Sequence, residues 1–285
     1  MLLARALLIL TALIWGSTFV ATKVCLRYIV PVELMAFRFA IALPMLLVLI
    51  LANRASFNLG RQRGRLFLSS GVIAAHFFIQ ITGIKYTTAT NTGWIIALTP
   101  LVVAVLAAIF LREKVTGKII IGISVASVGI LLLISRGHLG ELSWLSSYGD
   151  WLVLASAHTW AIYTILTRDI SRTLNPLVVT FVLLIPSAII SLVSVGLFSD
   201  WSKFASLPAE AVVSLLFLGI LGTALGHWFW QLGISRIGAS RAGTFLYLEP
   251  IATTAVAIPY LHEPLGVYTL IGGLAVLLGV WISQK

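Results

Sequence analysis

One cysteine, Cys25, stands among 285 residues. This excludes an intramolecular disulfide and any cysteine-based zinc site. Charge is scarce as well: charged residues make up 10% of the chain, against about 25% in a soluble domain. Acids are the scarcer sign, with 9 Asp+Glu against 19 Lys+Arg. No three or four His or carboxylate groups have metal-ligand spacing, so neither a metal nor another cofactor is expected. No nucleophile and base cluster as an intramembrane enzyme would require. There is no nucleotide-binding P-loop and no domain to hold one, which disfavours ATP-driven work by this chain alone. The longest connectors between apolar runs, 53–65, 136–147 and 199–210, are too short to fold alone.

What is abundant is hydrophobic surface, at 60% of residues and a mean hydropathy of +1.07. Such a chain is too apolar for a soluble enzyme and too poor in polar residues to be disordered. A bilayer-spanning helix needs about 20 mostly apolar residues. Ten such runs can be marked: 4–22, 31–52, 66–84, 89–110, 117–135, 148–167, 176–198, 211–233, 240–261 and 265–283. The expectation is an all-α membrane protein. The opening MLLARALLILTALIWGS has the make-up of a secretory signal. Nine further spans follow it, however, and the first takes part in an internal repeat, so it is read as an uncleaved span.

The net charge of +10 would point to nucleic acid in a soluble protein. Here it sorts by topology instead. With the N-terminus inside, 13 of the 19 basic residues fall on inner segments: Arg5, Arg54, Arg61, Arg63, Arg65, Arg112, Lys114, Lys118, Arg168, Arg172, Arg236, Arg241 and Lys285. Lys23, Arg27, Lys85, Arg136 and Lys203 fall outside, and Arg38 lies within a span. That asymmetry places both termini in the cytoplasm by the positive-inside rule. No nucleic-acid partner is expected.

The sequence also repeats. Adding 145 carries Trp15 to Trp160 and Pro31 to Pro176, and carries the stripe Thr11, Trp15, Thr18, Thr22 onto Ser156, Trp160, Tyr163, Thr167. Spacings of four, three and four put each set on one helical face. Adding 150 aligns Gly83 with Gly233, Gly93 with Gly243, Pro100 with Pro250, Glu113 with Glu263 and Gly129 with Gly279. Of the 50 positions from 83 to 132, 12 are identical under that offset. Residues 1–136 and 148–285 thus form two halves of five spans each. An odd count inserts the second half in the opposite sense, which gives ten transmembrane helices as two inverted five-helix repeats. That plan recurs in secondary transporters, where the halves exchange conformations around a midplane site.

The early "WGSTF", with "LTP…LREK" and "LEP…LHEP" in the fourth and ninth spans, resembles the EamA family of the drug/metabolite transporter superfamily. The resemblance covers nearly the whole chain. It implies a bacterial inner-membrane carrier, many of whose relatives export amino acids or related metabolites. It also implies that the helices bearing Trp15 and Trp160 wall a central cavity. A drug or lipid flippase is the competing expectation within transport, and an intramembrane enzyme the remote one.

Polar groups within spans are costly unless paired or facing water, so each is a candidate. Glu249, mid-span, is expected either to bind a substrate amine or to couple proton movement, or else to fix helix packing beside Pro250. Arg38 would grip a substrate carboxylate by a bidentate bond or extend to the interface. His76 with Gln80 and His227 with Gln231 each share a face at i, i+4, as substrate contacts or interhelical bonds. Trp15, Thr18, Trp160 and Tyr163, with Trp94, are read as an aromatic and hydroxyl-bearing cavity wall for a small molecule. Trp144, Trp151, Trp201 and Trp281 fit interfacial anchoring. Pro100 and Pro250 predict matched mid-span kinks, either static or hinged. Gly122, Ala126 and Gly129, with Gly272, Ala275 and Gly279, predict close helix packing, between those two helices or with a second copy as a homodimer. Arg112, Glu113, Lys114, His262 and Glu263 end their spans as interfacial anchors or ion pairs, with a gating role left open.

Overall fold

The computed structural model describes residues 1–112, 116–135, 147–261 and 267–283. All regular structure among them is helical. The order is α1 (Leu2–Cys25), α2 (Pro31–Ala52), α3 (Arg63–Tyr86), α4 (Ala89–Ile96), α5 (Thr99–Phe110), α6 (Gly117–Ser135), α7 (Tyr148–Thr173), α8 (Pro176–Phe198), α9 (Ala209–Phe217), α10 (Gly226–Ile237), α11 (Ala239–Gly243), α12 (Glu249–Leu261) and α13 (Val267–Ser283). A π-helical stretch, Leu218–Leu225, joins α9 to α10, and a 3-10 stretch, Thr244–Leu248, joins α11 to α12. Glu113, Lys114, Trp144, His262 and Glu263 lie outside the described residues.

Six helical stretches among the described residues are long and apolar enough to cross a membrane. They are Leu2–Cys25, Pro31–Ala52, Gly60–Tyr86, Ala89–Phe110, Pro176–Phe198 and Ala209–Ile237. Helix is the only open-ended way to satisfy every backbone group in hydrocarbon, so long apolar runs commit the chain to it. At 26 residues α7 is the longest helix, but Ser156, Thr159, Thr164, Thr167 and Ser171 lower its hydropathy. It also runs past the apolar boundary at 167, because an arginine-bearing turn needs no lipid. The outer surface carries large exposed apolar side chains, among them Val48, Phe67, Ile109, Phe110, Val193, Phe198 and Leu274. In water such a surface would aggregate; in a bilayer it faces lipid tails. Trp151, Trp201 and Trp281 are exposed, in keeping with anchoring at the interface.

Polar side chains fix the helix ends. Ser147 and Asp150 form a reciprocal capping box at the start of α7. Asp150 also accepts a hydrogen bond from Thr87, which ties the α3–α4 turn to α7. Glu33 accepts from the Val30 N–H at 2.9 Å, Ser199 Oγ at 2.7 Å and Lys203 Nζ at 2.5 Å, joining α2 to the segment after α8. Tyr28 donates to Glu210 at the surface, and that bond raises the phenol's pKa above its ordinary value.

The expected proline kinks are breaks instead. Pro100 has no N–H to offer the Ile96 carbonyl; before it, Ala97 N–H is shared between Gly93 O at 3.3 Å and Trp94 O at 3.1 Å, and Leu98 N–H bonds to the i−3 carbonyl of Ile95 at 3.1 Å. A new helix then starts at Thr99 with Pro100 in its first turn, where a missing N–H costs nothing. The same happens 150 residues later. Glu249 N–H bonds to Leu246 O, and α12 starts with Pro250 in its first turn.

Packing orders the helices around a centre. α1 lies against α12, α10, α9 and the π-helical stretch; α3 lies against α7 and α8; α2 against α8; and α5 against α7 and α11. The glycine face of α6 is used against α13 of the same chain. A Cβ on Gly279 would stand 2.4 Å from the Gly122 carbonyl oxygen.

Candidate functional site

A cavity of about 540 Å³, counting its open mouth, lies between these helices. α1 contributes Trp15, Thr18, Phe19 and Thr22, and α3 contributes His76, Phe77, Gln80, Ile81 and Ile84. Arg38 enters from α2, Trp160 from α7 and His227 from α10. The two broken segments complete the lining with Ile96 and Thr99 on one side and Leu246 and Glu249 on the other. The breaks matter here, because each brings the first residue of a new helix to the cavity wall.

At the floor the rings interlock. Trp15 and Trp160 meet edge to face, centroids 4.9 Å apart and planes at 86°. His227 packs on Trp15 at 5.2 Å and on Phe77 at 5.3 Å, and His76 lies 5.0 Å from Trp160. Trp230, fully buried, sits 5.6 Å from both Trp15 and Trp160. Such edge and tilted contacts favour the ring quadrupoles and lock rotamers, so the wall is stiff.

Three of the polar groups are held by the π-helical stretch and one by α7. Trp15 Nε1 donates to Gly222 O at 2.8 Å, inside the π-helical stretch. Gly226 has no side chain to obstruct this, and a Cβ there would stand 2.5 Å from Trp15 Nε1. Arg38 Nε donates to Thr223 Oγ1 at 2.8 Å, and the guanidinium lies 4.8 Å above the Phe77 ring. Among the described residues no carboxylate pairs with Arg38. The Glu249 carboxyl group, also buried, makes no hydrogen bond or ion pair among them either. His76 Nδ1 donates to Ser156 O at 3.0 Å, and His227 Nδ1 to Thr223 O at 3.0 Å. His227 Nε2 is thereby left as an acceptor with no partner among the described residues. The Trp160 Nε1 donor and the Thr99 hydroxyl likewise have no partner among the described residues. Buried polar atoms are nearly always satisfied, so several unpartnered ones around one cavity mark where a ligand or ordered water completes the shell.

Of the residues singled out in the sequence, Trp15, Thr18, Arg38, His76, Gln80, Trp160, His227 and Glu249 converge on this cavity. Tyr163 packs on Trp160 from behind the lining and bonds Gln231, while Trp94 is buried and does not line the cavity. Gln231 donates to Tyr163 Oη at 2.6 Å and accepts from Ser171 Oγ at 2.5 Å. Pro100 and Pro250 sit one residue beyond the lining residues Thr99 and Glu249. Phe77, Thr22 and Thr99 belong to the lining without having been picked out; Thr22 was legible as the end of the α1 stripe, and Thr99 as the repeat partner of Glu249.

The EamA-like transporter family model matches this chain twice, over residues 2–135 and 147–284. The chain is 31% identical over 270 residues to an uncharacterized transporter of Bacillus subtilis, YyaM, covering 93% of this chain and 88% of that one. It is 26% identical over 291 residues to a probable amino-acid metabolite efflux pump of Escherichia coli, covering 97% and 93%. A protein of known crystal structure shares the fold at TM-score 0.78 and 19% identity, covering 98% of this chain and 97% of that chain. Its family and its relatives are transporters and efflux pumps, not enzymes. A helical chain with an apolar outer surface and a cavity lined by aromatic and polar side chains, matched by the family model along both stretches, belongs to the EamA-like transporter family.

Proposed function

We propose that this transporter exports an amino acid or related small metabolite across the bacterial inner membrane by alternating access. In this reading ten spans form two inverted halves, residues 1–136 and 148–285, with both termini in the cytoplasm. α4 with α5 makes one span, α9 with α10 another, and α11 with α12 a third. The double match to one family model supports the duplication.

The observation that carries the substrate class is the pair Arg38 and Glu249. Opposite in charge type, buried on one cavity and bonded to no ionic partner among the described residues, they complement a zwitterion. Arg38 would receive the carboxylate, with its remaining N–H donors beside the Thr223 bond. Glu249 would receive the ammonium group, and the stacked Trp15 and Trp160 faces would hold the side chain. A protonatable carboxyl group that meets the substrate can also take a proton when the substrate leaves, which is the simplest form of proton coupling. The E. coli relative named as a probable amino-acid metabolite efflux pump points the same way.

Flux of labelled amino acids in everted vesicles tests this. Glu249→Gln and Trp160→Ala are each expected to lower uptake at least tenfold at unchanged protein abundance. Wild-type flux from both variants would remove the site assignment. Absence of flux for every amino acid in a full panel would remove the substrate class.

A further inference from the structure

The lining of the cavity is symmetric at its centre and one-sided beyond it. Under the offsets of the repeat, Trp15 pairs with Trp160, Phe77 with His227, Ile96 with Leu246 and Thr99 with Glu249, and both members of every pair touch the cavity. Six further lining residues, Thr18, Phe19, Thr22, Gln80, Ile81 and Ile84, lead from this centre toward the ends of α1 and α3. Their counterparts are Tyr163, Thr164, Thr167, Trp230, Gln231 and Ile234, in that order. None of those six lines the cavity, and each is at 0% exposure, against 1–7% for Thr18, Phe19, Thr22, Ile81 and Ile84.

That buried row is unusually polar for a sealed core. Gln231 donates to Tyr163 Oη at 2.6 Å and to Thr167 Oγ1 at 3.3 Å, and it accepts from Ser171 Oγ at 2.5 Å. Thr164 Oγ1 and Trp230 Nε1 have no hydrogen-bond partner among the described residues. A packing role would be served better by apolar side chains, since an unmet buried donor or acceptor carries a desolvation cost. The arrangement makes sense if the row is wetted in another state.

We infer that Tyr163, Thr164, Thr167, Trp230, Gln231 and Ile234 form a second stretch of substrate-contacting wall, opened to the cytoplasm when the halves exchange conformation, and that the hydrogen bonds around Gln231 are the latch that seals it. This rests on the inverted-repeat reading above. The cavity seen here then opens to the outer face, and the six counterparts wall the same substrate's path on the inner side. Gln231 is a positioning residue in this state: its three bonds all join α10 to α7, the two helices that must part. Leu8 of α1 closes the same end by packing onto Gly233, where a Cβ would stand 2.4 Å from Leu8 Cδ2.

Single-cysteine variants in a Cys25→Ser background test this with a membrane-impermeant maleimide, applied to right-side-out and everted vesicles. Thr22→Cys is expected to react from the outer face and Thr164→Cys from the cytoplasmic face. Adding Gln231→Ala should raise the Thr164→Cys rate about fivefold and slow the Thr22→Cys rate, as loss of latch bonds shifts the two-state population. Ser171→Ala removes only one bond and should act in the same direction more weakly, which covers poor folding of the stronger variant. The inference is overturned if Thr164→Cys stays unlabelled from either face in both latch variants, or if neither variant changes its rate. Labels appearing at the opposite faces would instead refute the assigned orientation and leave the latch standing.

Discussion

Alanine at Gly16 perturbs the seam on which Glu249 is mounted. A Cβ there would lie 2.3 Å from the Glu249 carbonyl oxygen, 2.7 Å from Ala252 Cβ and 3.0 Å from Thr253 N. Carbon atoms pack at about 3.5–4.0 Å, so α1 and α12 must separate by roughly 1 Å at this point. None of the three groups is the far end of a flexible side chain, and no rotamer change relieves the clash. Overpacking of this kind costs about 1–3 kcal/mol. Separation also stretches the 2.9 Å bond from Thr253 Oγ1 to Gly16 O. Such a bond is worth about 0.5–1.5 kcal/mol, while the better helix propensity of alanine returns about 1 kcal/mol. The net loss is about 2 kcal/mol, or a fall in Tm of about 4–8 °C at the 2–4 °C per kcal/mol typical of large chains. Gly71→Ala in α3 is the control, because a Cβ there meets nothing within 4 Å. Thermal unfolding of the purified protein, followed by tryptophan fluorescence, gives the comparison, and flux in the same preparation should fall because Glu249 moves with the seam. Gly16→Ala melting within about 1 °C of wild type, or Gly71→Ala falling equally, would refute the geometric reasoning.

Other substitutions separate the site from its scaffold. Arg38→Lys keeps the charge but loses the planar stack on Phe77 and the fixed Nε bond to Thr223, so KM for the transported metabolite should rise at least tenfold with little change in Tm. Trp15→Phe leaves the Gly222 carbonyl without its 2.8 Å donor and should cost about 1 kcal/mol in stability together with a several-fold loss of flux. Gly279→Ala drives a Cβ to 2.4 Å from Gly122 O, so Tm should drop while flux per folded molecule is unchanged, since the α6–α13 pair lies outside the cavity lining. Tyr28→Phe removes an exposed bond to Glu210 and should leave Tm unchanged.

The spans were readable because lipid imposes a length, and the centre of the cavity because a polar stripe inside a bilayer needs a reason. Trp15 and Trp160 announced themselves by spacing, and Glu249 by the scarcity of acids around it. The π-helical stretch Leu218–Leu225 had no such signal. It is an apolar run like its neighbours, and only the bond from Trp15 and the placement of Thr223 beneath Arg38 reveal what its extra width accomplishes. The helix breaks at Pro100 and Pro250 are indistinguishable from kinks in the sequence, because a proline marks a lost donor without saying whether the helix bends through it or restarts.

Tyr163 and Gln231 mark a deeper boundary of legibility. They occupy stripes equivalent to those of Thr18 and Ile81, yet those line the cavity while these are sealed. Both rows mix hydroxyl, amide and apolar side chains, with Thr18, Thr22 and Gln80 in one and Tyr163, Thr167 and Gln231 in the other, although position by position the types differ. Under the latch proposal, which wall is open is set by whether the Gln231 bonds are made, and residue types alone do not encode that choice. Reading both stripes as substrate-facing therefore describes a cycle, whereas the structure describes one station of it. If that is right, Tyr163→Phe should leave substrate affinity measured from the outer face unchanged and alter the rate of the cycle. Loss of outer-face affinity would mean that Tyr163 acts through the packing of Trp160, 5.1 Å away, and not through the latch.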